Sequence, residues 1–431
     1  MVRRNSSRRT VAGIDLTDPR FIADPYPTLA RMRRDAAVQW NDSLSAWCVL
    51  PFREVRAAFR EPALSSDRIR PFIRAKAGAD RDIAYLGDCI GLWMVFNDPP
   101  VHARLRKLVQ MAFLPQAIEA LRPAIAAEVD RLLAGLTALG EGADFVRDFA
   151  YPLPANVIAL MLGVPREDID RLKAWSDELA RFVLTSVADP DKYRPAAAAL
   201  RAMNAYFGAI IEARRAVPGE AIIDRLIAAH DGDDLLSLDE LMASCVLLLF
   251  AGHETTTHFL SSGLRTLEAH PGERARLAAH ADDPATLRTA MHEMLRWDGP
   301  IVALSRVAAS DCEVGGRKVG AGERVYLFPA AANRDETVFP RAETFDVRRA
   351  DANRMITFGF GPHICLGLHL ALLEGEVAWP RLLDRLEGWR IAPHTPEFTP
   401  TLVVRGVRRL PLVPPAEPVF RTGSRSARRR K

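Results

Sequence analysis

The sequence predicts a mainly α-helical protein built as one large domain, with a long central helix and small peripheral β-sheets. Three observations support this prediction. Between about residues 100 and 300, apolar residues recur at three- and four-residue steps, which is the spacing of a buried helix face. Residues that favour strands cluster near the two ends of the chain. No internal repeat, low-complexity stretch or change of composition marks a boundary between domains.

Proline and glycine divide the helical region into segments of ordinary helix length. In chain order, helices are predicted over residues 105–113, 123–139, 154–162, 168–183, 195–213 and 221–230. Strands are predicted where β-forming residues alternate or cluster between turn residues, within 38–50, 324–328 and 401–413.

A further helix is predicted to cross the whole domain. Ser237 and Glu240 stand three residues apart in the capping-box pattern, which marks a helix start. The apolar pattern then continues to His270, and Pro271 ends it. A helix of about 33 residues is roughly 50 Å long. Its apolar first half is therefore expected at the centre of the domain.

The middle of this central helix conflicts with its surroundings. Residues 251–258 read Ala-Gly-His-Glu-Thr-Thr-Thr-His, so a glycine, an acid and three threonines replace good helix formers. Such conflicts collect at functional sites. The alternative is a hydrated patch whose threonines bond back to carbonyls one turn earlier. A zinc protease site is not predicted, because His253 and His258 are five residues apart and point about 140° away from each other.

Composition and charge argue against several functional classes. Ten basic residues lie in 1–10 and 421–431, which contain no acid, and this leaves 48 basic against 54 acidic residues elsewhere, a net charge near −6. A nucleic-acid-binding body is normally basic. Five cysteines without regular spacing argue against a secreted disulfide framework, and no apolar run approaches the ~20 residues of a membrane span. We expect a cytoplasmic protein, with a folded body over 21–415 and disordered basic tails at 1–20 and 416–431.

The strongest signal lies near the C-terminus, where residues 358–367 read Phe-Gly-Phe-Gly-Pro-His-Ile-Cys-Leu-Gly ahead of an amphipathic helix. Cys365 is placed at the start of that helix, where the dipole and free amides stabilise a thiolate. The glycines let the backbone approach a flat, bulky group. Four roles are open for Cys365 at this point. It is a nucleophile with His363 as its base, a zinc ligand, an axial ligand of haem iron, or a buried structural cysteine. Haem ligation explains the most features.

A haem group needs cations for its two propionates, and the sequence offers four basic side chains. His102 and Arg106 lie one helical turn apart on one face. Arg306 follows a loop over 299–305, and His363 lies two residues before the cysteine. Each of them alone is more often a surface charge, so the prediction depends on the set.

Together these motifs resemble the cytochrome P450 family, and specifically its soluble bacterial members. The resemblance extends from about residue 24 to residue 413. The cysteine loop matches the family's Phe-Gly-x-Gly-x-His-x-Cys-x-Gly signature at every fixed position, residues 251–256 match its oxygen-binding groove, and residues 98–106 match its haem-facing helix start. Glu293 and Arg296, otherwise an ordinary helical pair, match its Glu-x-x-Arg motif.

The resemblance implies a role for each site residue. Cys365 is the iron ligand, Glu254 and Thr255 relay protons to dioxygen, and Glu293 with Arg296 pins the cysteine-loop region. The cofactor is haem b, and the residues implied to contact it are His102, Arg106, Ala251, Arg306, Phe358, Gly359, His363, Cys365 and Gly367.

Two positions depart from the family pattern. Thr344 stands where an arginine or a histidine commonly completes a triad with the Glu-x-x-Arg pair, so Arg341 or Arg348 is expected to complete it here. Leu372 replaces an arginine that is common after the cysteine loop, which alters the surface where electron donors dock.

The implied function is a monooxygenase that inserts one atom of O2 into a hydrophobic small molecule, by hydroxylation or epoxidation, and reduces the other atom to water. Electrons are expected from NAD(P)H through a ferredoxin reductase and a ferredoxin. No nucleotide-binding fingerprint occurs, and only a proline-rich stretch and a basic tail follow residue 413. The alternatives are a haem-thiolate peroxygenase or isomerase, against which the acid–alcohol pair argues, and a non-catalytic haem sensor. We expect a monomer that acts in secondary metabolism and has no nucleic-acid partner.

The sequence leaves the substrate open. The side chains predicted to line its pocket are mostly apolar, as core side chains also are, so they do not identify the ligand. They are Trp93, Met94, Phe182, Val246, Phe250, Ile301 and Val302.

Overall fold

The computed structural model describes residues 13–184, 190–219, 221–231 and 236–416. In this part of the chain the α-helices are α1 Pro19–Ala23, α2 Tyr26–Asp35, α3 Phe52–Ala58, α4 Arg70–Ala77, α5 Arg81–Gly91, α6 Val101–Gln110, α7 Pro115–Glu119, α8 Arg122–Ala138, α9 Pro152–Met161, α10 Ile169–Leu184, α11 Tyr193–Ala216, α12 Ile222–Asp231, α13 Leu238–Ala269, α14 Pro271–Ala279, α15 Pro284–Asp298, α16 Pro329–Ala332 and α17 Leu368–Arg385. The strands are β1 Val38–Asn41, β2 Ala46–Val49, β3 Leu64–Ser65, β4 Leu304–Ala308, β5 Cys312–Val314, β6 Arg317–Val319, β7 Arg324–Leu327, β8 Arg390–Ile391 and β9 Leu412–Val413. The prediction of a mainly helical fold with small sheets is confirmed.

The central helix α13 begins and ends where the sequence predicts. The Ser237 hydroxyl accepts the Glu240 N–H at 3.1 Å, and the Glu240 carboxylate accepts the Ser237 N–H at 2.9 Å, which completes the capping box. The helix is unbroken over 32 residues, or about 48 Å. It packs against α9, α11 and α15, and most of its length is buried. Helices α9, α11 and α15 therefore pack around this one central helix.

Each of the six shorter helices predicted between residues 105 and 230 is present, as α6 and α8 to α12, with ends moved by a few residues. Helices α8 and α9 start earlier than predicted for the same reason. In α9 the helix begins at Pro152 and in α8 a proline stands in the first turn, where its missing N–H costs nothing. In these two helices the proline therefore lies just inside the first turn and does not mark the boundary before the helix.

The main sheet joins the two ends of the chain. Its strand order is β1-β2-β7-β4-β3. Strands β2 and β7 are parallel, with Ala46 opposite Arg324 and Val49 opposite Leu327, and the other pairs are antiparallel. The predicted strand region 38–50 is the hairpin β1–β2, and 324–328 is β7. The sheet therefore places residues from near each terminus side by side.

The third predicted strand region, 401–413, is mostly irregular. Only Leu412 and Val413 form a strand there, paired with β8, and the rest is held by isolated bridges at Val404, Val407 and Pro411. Prolines within and beside this region remove backbone donors, which limits a continuous ladder. The strand predicted within this region is therefore present only at its last two residues.

The basic stretches predicted as tails lie largely outside the described residues, at 1–12 and 417–431. The predicted boundary at residue 20 is too late, because Leu16 is fully buried and the Asp18 carboxylate caps α1. Among the described residues, no helix combines the length and apolar composition that a bilayer span requires.

Candidate functional site

The cysteine loop reaches its position through two left-handed glycines. Gly359 and Gly361 have φ of +75° and +76°, a region that residues with a Cβ avoid. The Cys365 N–H then donates to the Phe358 carbonyl at 2.8 Å, which closes the loop on itself. Gly367 is the N-cap residue of α17, which starts at Leu368, three residues after Cys365. The predicted loop at a helix start is present.

The Cys365 thiol is subject to opposing effects. Its side chain is accessible to solvent, but the protein packed around the sulfur desolvates it and so raises the pKa of the thiol. The backbone N–H groups of Gly367 and Leu368 and the charge of Arg106 lower that pKa, by less. The N–H groups at the start of the helix lower the pKa of the thiol as predicted, but burial raises it by more. A cation at the sulfur is therefore what would hold it as a thiolate.

The four side chains predicted to hold propionates lie together. The rings of His102 and His363 are 3.8 Å apart between centroids. Burial, followed by the positive charges around it, lowers the pKa of His363 to about 3, and burial lowers the pKa of Arg306 to about 10. Burial and the charge of Arg106 lower the pKa of His102. Asp98 opposes these charges, but the cluster carries more cations than this one acid can balance.

Arg68 is a fifth member of this cluster that the sequence analysis missed. Burial, followed by the charges of Arg306 and Arg324, lowers the pKa of Arg68 to about 9. Its guanidinium lies 4.6 Å from the centre of the Phe96 ring, and no described residue forms a hydrogen bond or ion pair with its side chain. In the sequence it follows Ser-Ser-Asp, a typical exposed turn, so no local signal distinguishes it.

The acid–alcohol pair lies at the middle of α13. Ala251 is exposed and Thr255 is half-buried, one turn apart on one face, although the residues before and after this turn are buried. This face of the helix therefore borders a concave surface. The Thr255 hydroxyl donates back to the Ala251 carbonyl at 3.4 Å and the Thr257 hydroxyl to the His253 carbonyl at 2.8 Å. The predicted back-bonding is thus present, and it leaves the helix continuous.

Glu254 has two neighbours that the sequence did not indicate. The Nε2 atom of His258 is 3.9 Å from Glu254 Oε1, and neither ring nitrogen of His258 has a hydrogen-bond partner among the described residues. The Asp177 carboxylate accepts the Tyr151 hydroxyl at 2.8 Å. Burial raises the pKa of Asp177, and the negative charge of Glu254 raises it as well. Asp177 therefore retains its proton to higher pH than an ordinary carboxyl.

His253 and His258 do not form a metal site. The Nδ1 atom of His253 is 3.0 Å from the Leu249 carbonyl, and its ring packs edge-on against Tyr151 at 5.4 Å. Within the described ranges, no group of three or more potential ligands could hold a metal ion.

Glu293 is bound by two arginines in a fully buried network. Arg296 Nε and Nη2 donate to its carboxylate at 2.6 and 2.9 Å. The Nε atom of Arg349 donates to Glu293 Oε1 at 3.2 Å, and both arginines donate to the Thr344 carbonyl, at 3.3 and 3.0 Å. The triad is therefore completed by Arg349, with the backbone of Thr344 in place of a basic side chain.

The prediction that Arg341 or Arg348 completes this triad is wrong. Arg341 has a φ of +54° and contributes its carbonyl, which accepts the Arg349 Nη2 at 2.9 Å. The side chain of Arg348 is 62% exposed and lies 3.6 Å from Asp346. The chain turns here, so neighbouring arginines point to opposite sides, and only Arg349 faces Glu293.

A cavity of about 540 Å³ lies beside the sheet, and Phe182 lines it. The other predicted pocket residues lie elsewhere. Trp93 and Phe250 pack on each other with their ring centres 5.1 Å apart, Val246 is fully buried, Met94 and Val302 are buried, and Ile301 pairs with the backbone of Val404. Whether these six side chains contact substrate stays a prediction.

A family model described as Cytochrome P450 matches residues 77–401 of the chain. The chain belongs to the cytochrome P450 family. It is 37% identical over 405 residues to a vitamin D(3) 25-hydroxylase of Pseudonocardia autotrophica, and the match covers 92% of this chain and 96% of that one. Among solved structures, CalO2 has a TM-score of 0.86 at 31% identity, covering 94% of this chain and 99% of that one. A myxobacterial P450, CYP267B1, in complex with myristic acid has a TM-score of 0.83 at 34% identity, covering 92% and 98%.

Family membership implies a haem, and the residues of this P450 fit that group. The guanidiniums of Arg68, Arg106 and Arg306 are partly or fully buried beside His102 and His363, with Asp98 as the one opposing acid, and two propionate carboxylates would balance them. Gly359 and Gly367 keep the loop beside the sulfur free of side chains; a Cβ added at Gly367 would lie 4.0 Å from Cys365 Sγ. The donor set is thus a thiol at the centre and cations at one side, as an iron porphyrin requires.

In this P450 the backbone at Gly406 lies against the ring of His258. A Cβ added there would overlap the imidazole. Gly406→Ala is therefore expected to displace His258 from Glu254 and to destabilise the protein by about 1–3 kcal/mol, as overpacked cores do. Urea unfolding measures this. Gly135→Ala is the matched control, because Gly135 lies in α8 with open space around it; that change should stabilise by up to about 1 kcal/mol. Equal effects of the two changes would contradict the close contact.

Proposed function

We propose that this cytochrome P450 is a haem-thiolate monooxygenase that inserts one oxygen atom of O2 into a hydrophobic small molecule and receives its electrons from a ferredoxin. The observation that supports it most is the acid–alcohol pair at the one turn of the buried part of α13 where Ala251 is exposed. Cys365 would bind the iron, and the haem would supply activation of O2 and transfer of one oxygen atom to the substrate.

The residues of the chain would supply the protons that reduce the second oxygen atom to water. Two protons must reach a site from which bulk water is excluded. The Thr255 hydroxyl, one turn from Ala251, is the donor at the concave face, and the Glu254 carboxyl beside it renews that proton. Asp177, on which the negative charge of Glu254 acts, holds a proton more tightly than an ordinary carboxyl because burial raises its pKa. It would pass that proton on toward Glu254.

The surface around the cysteine loop supports an acidic electron donor. Arg56 and Arg60 are exposed, and their guanidiniums lie 4.2 and 4.3 Å from the centre of the Phe360 ring within the loop. Ile364, next to the iron ligand, is 38% exposed. Leu372 lies in the same shallow hollow, so the family's usual arginine is absent and these two arginines would supply the charge. An acidic ferredoxin would be steered there.

The test is turnover with a surrogate ferredoxin, a ferredoxin reductase and NAD(P)H. Purified holoprotein should consume NAD(P)H in the presence of a bound hydrophobic ligand and form a product that carries one atom of oxygen-18 from labelled O2. The rate should fall steeply as salt is raised, because the docking charges are screened. Oxygenation supported by peroxide alone would indicate a peroxygenase. Ligand-dependent spectra without product would indicate a sensor.

We expect Thr255→Ala to uncouple this reaction. The variant should keep its haem and still consume NAD(P)H, but hydrogen peroxide should replace product, whose yield per NAD(P)H should fall roughly tenfold or more. Thr257→Ala is the matched control: it lies two residues on, and its hydroxyl is already engaged by the His253 carbonyl at 2.8 Å. Coupling as tight as in the unchanged protein would refute the proposed relay.

A further inference from the structure

The cavity of about 540 Å³ beside the sheet has an asymmetric lining. Its volume falls in the range of about 300–1,000 Å³ that small-molecule sites occupy. The charged side chains among its described lining residues are Arg68, Lys192 and Arg324, and no described Asp or Glu lines it. Among the described lining residues, two guanidiniums therefore lack a lining acid, which favours an anionic ligand.

The sheet forms the polar wall. Arg324 and Tyr326 are two residues apart in β7, so their side chains lie on the same face. Ser305 in β4 is directly opposite Tyr326, and all three line the cavity. This wall therefore presents a guanidinium and two hydroxyl groups to one region of the cavity.

Arg68 faces the same region from the loop before α4. The charges of Arg324 and Arg306 act on Arg68 and lower its pKa, after burial, which shows that these guanidiniums lie near one another. No described residue forms an ion pair with the side chain of Arg68 or of Arg324. A desolvated cation beside a second cation is unfavourable unless an anion joins them. A guanidinium pair binds a carboxylate through paired N–H donors.

Most of the other lining residues are apolar. Phe72 and Ile73 of α4, Phe182 near the end of α10, and Leu16 and Leu402 from near the two ends of the described chain are among them. Lys192, also at the wall, is buried with its ammonium 5.7 Å from the centre of the Phe182 ring. A ligand that fills this space is apolar over most of its length and charged at one end.

We propose that the cavity binds a single-chain amphiphile with a terminal carboxylate, held by Arg324 and Arg68, and that such acids are a substrate class of this enzyme. The inference rests on the proposed function for its catalytic part, whereas binding itself does not depend on turnover. One other source of the same chemistry exists in the holoprotein, because a haem propionate is also a carboxylate and Arg306 lies near Arg68. The experiment separates these two sources.

The test uses holoprotein with three probes that share one alkyl chain: dodecanoic acid, methyl dodecanoate and dodecanol. Affinity is measured from the haem spin-state shift and, independently, by equilibrium dialysis. The acid should bind at least about tenfold more tightly than the ester or the alcohol. Arg324→Gln should weaken acid binding about tenfold and leave the ester unchanged. Lys318→Gln is the matched control, since Lys318 is exposed on β6 and does not line the cavity; it should change nothing.

Arg68→Gln distinguishes the two carboxylates. Weaker acid binding with unchanged haem content supports the substrate role of Arg68, whereas lower haem content with unchanged acid binding overturns it and assigns Arg68 to a propionate. Equal affinity for acid, ester and alcohol overturns the proposed class, even if the enzyme oxygenates other molecules. Tight, charge-dependent binding of the acid without any oxygenated product leaves the binding site standing and overturns the claim that such acids are substrates; absence of product from every hydrophobic ligand that binds overturns the proposed monooxygenase function instead.

Discussion

Cys365→Ala is expected to abolish the red-shifted Soret band of the ferrous carbon-monoxide complex and all turnover. The thiol is the only sulfur the cysteine loop presents beside the positive cluster, and Gly367 and Leu368 direct their N–H groups at it. Without sulfur, the iron loses the ligand that donates electron density and favours O–O cleavage. The measurement is the absorption spectrum of reduced protein under carbon monoxide, together with product formation.

Loss of haem through misfolding would give the same spectrum, so the variant needs a fold control. Cys365→Ser keeps the shape of the side chain, and far-ultraviolet circular dichroism of both variants should match that of the unchanged protein. Cys312→Ala is the matched control, because Cys312 is half-buried in β5, away from the cysteine loop. Its spectrum should be normal. A red-shifted band in folded Cys365→Ala protein would show that another residue binds the iron.

Arg349→Gln is expected to cost about 3–5 kcal/mol of the free energy of unfolding, a large part of the 5–15 kcal/mol that proteins typically have. The change removes an ion pair with a fully buried carboxylate and hydrogen bonds to the carbonyls of Pro340, Arg341 and Thr344. Glu293 would keep one arginine where two now share its charge. Urea unfolding measures the loss.

The neighbouring position supplies the control for this change. Arg348→Gln removes the same charge from an exposed side chain, and its effect should stay within about 0.5 kcal/mol. The cysteine loop follows this segment directly, so Arg349→Gln should also release haem faster when apomyoglobin is present as an acceptor. Equal stability of the two variants would contradict the assignment of Arg349 to the triad.

The parts of the fold that follow from local sequence were predictable. The capping box at Ser237 and the stop at Pro271 define α13 within one residue, because both act on the few residues around them. The predicted strand region 401–413 forms a strand only at its last two residues, for the opposite reason. Its β-forming residues are held by separate bridges to distant segments, such as Val404 to Ile301, and no local pattern reports where a partner will lie.

The same distinction separates the predicted site residues from the missed ones. Cys365, Glu254 and Thr255 stand in motifs whose residues are adjacent in the chain, so the sequence displays them. The pKa values of Arg68 and Asp177 are shifted by burial and by charges on elements that are distant in the sequence. An arginine after a turn and an acid on a helix look ordinary until the fold is known.

The pairing of β2 with β7 also constrains how the protein is made. Val49 and its partner Leu327 are separated by about 280 residues, which a ribosome adds in roughly 15–55 s at 5–20 residues per second. During that interval the nascent hairpin β1–β2 has an open edge, which invites pairing with other chains. Expression at lower temperature or with more chaperone should therefore raise the yield of native protein, and fragments that stop before Arg324 should precipitate.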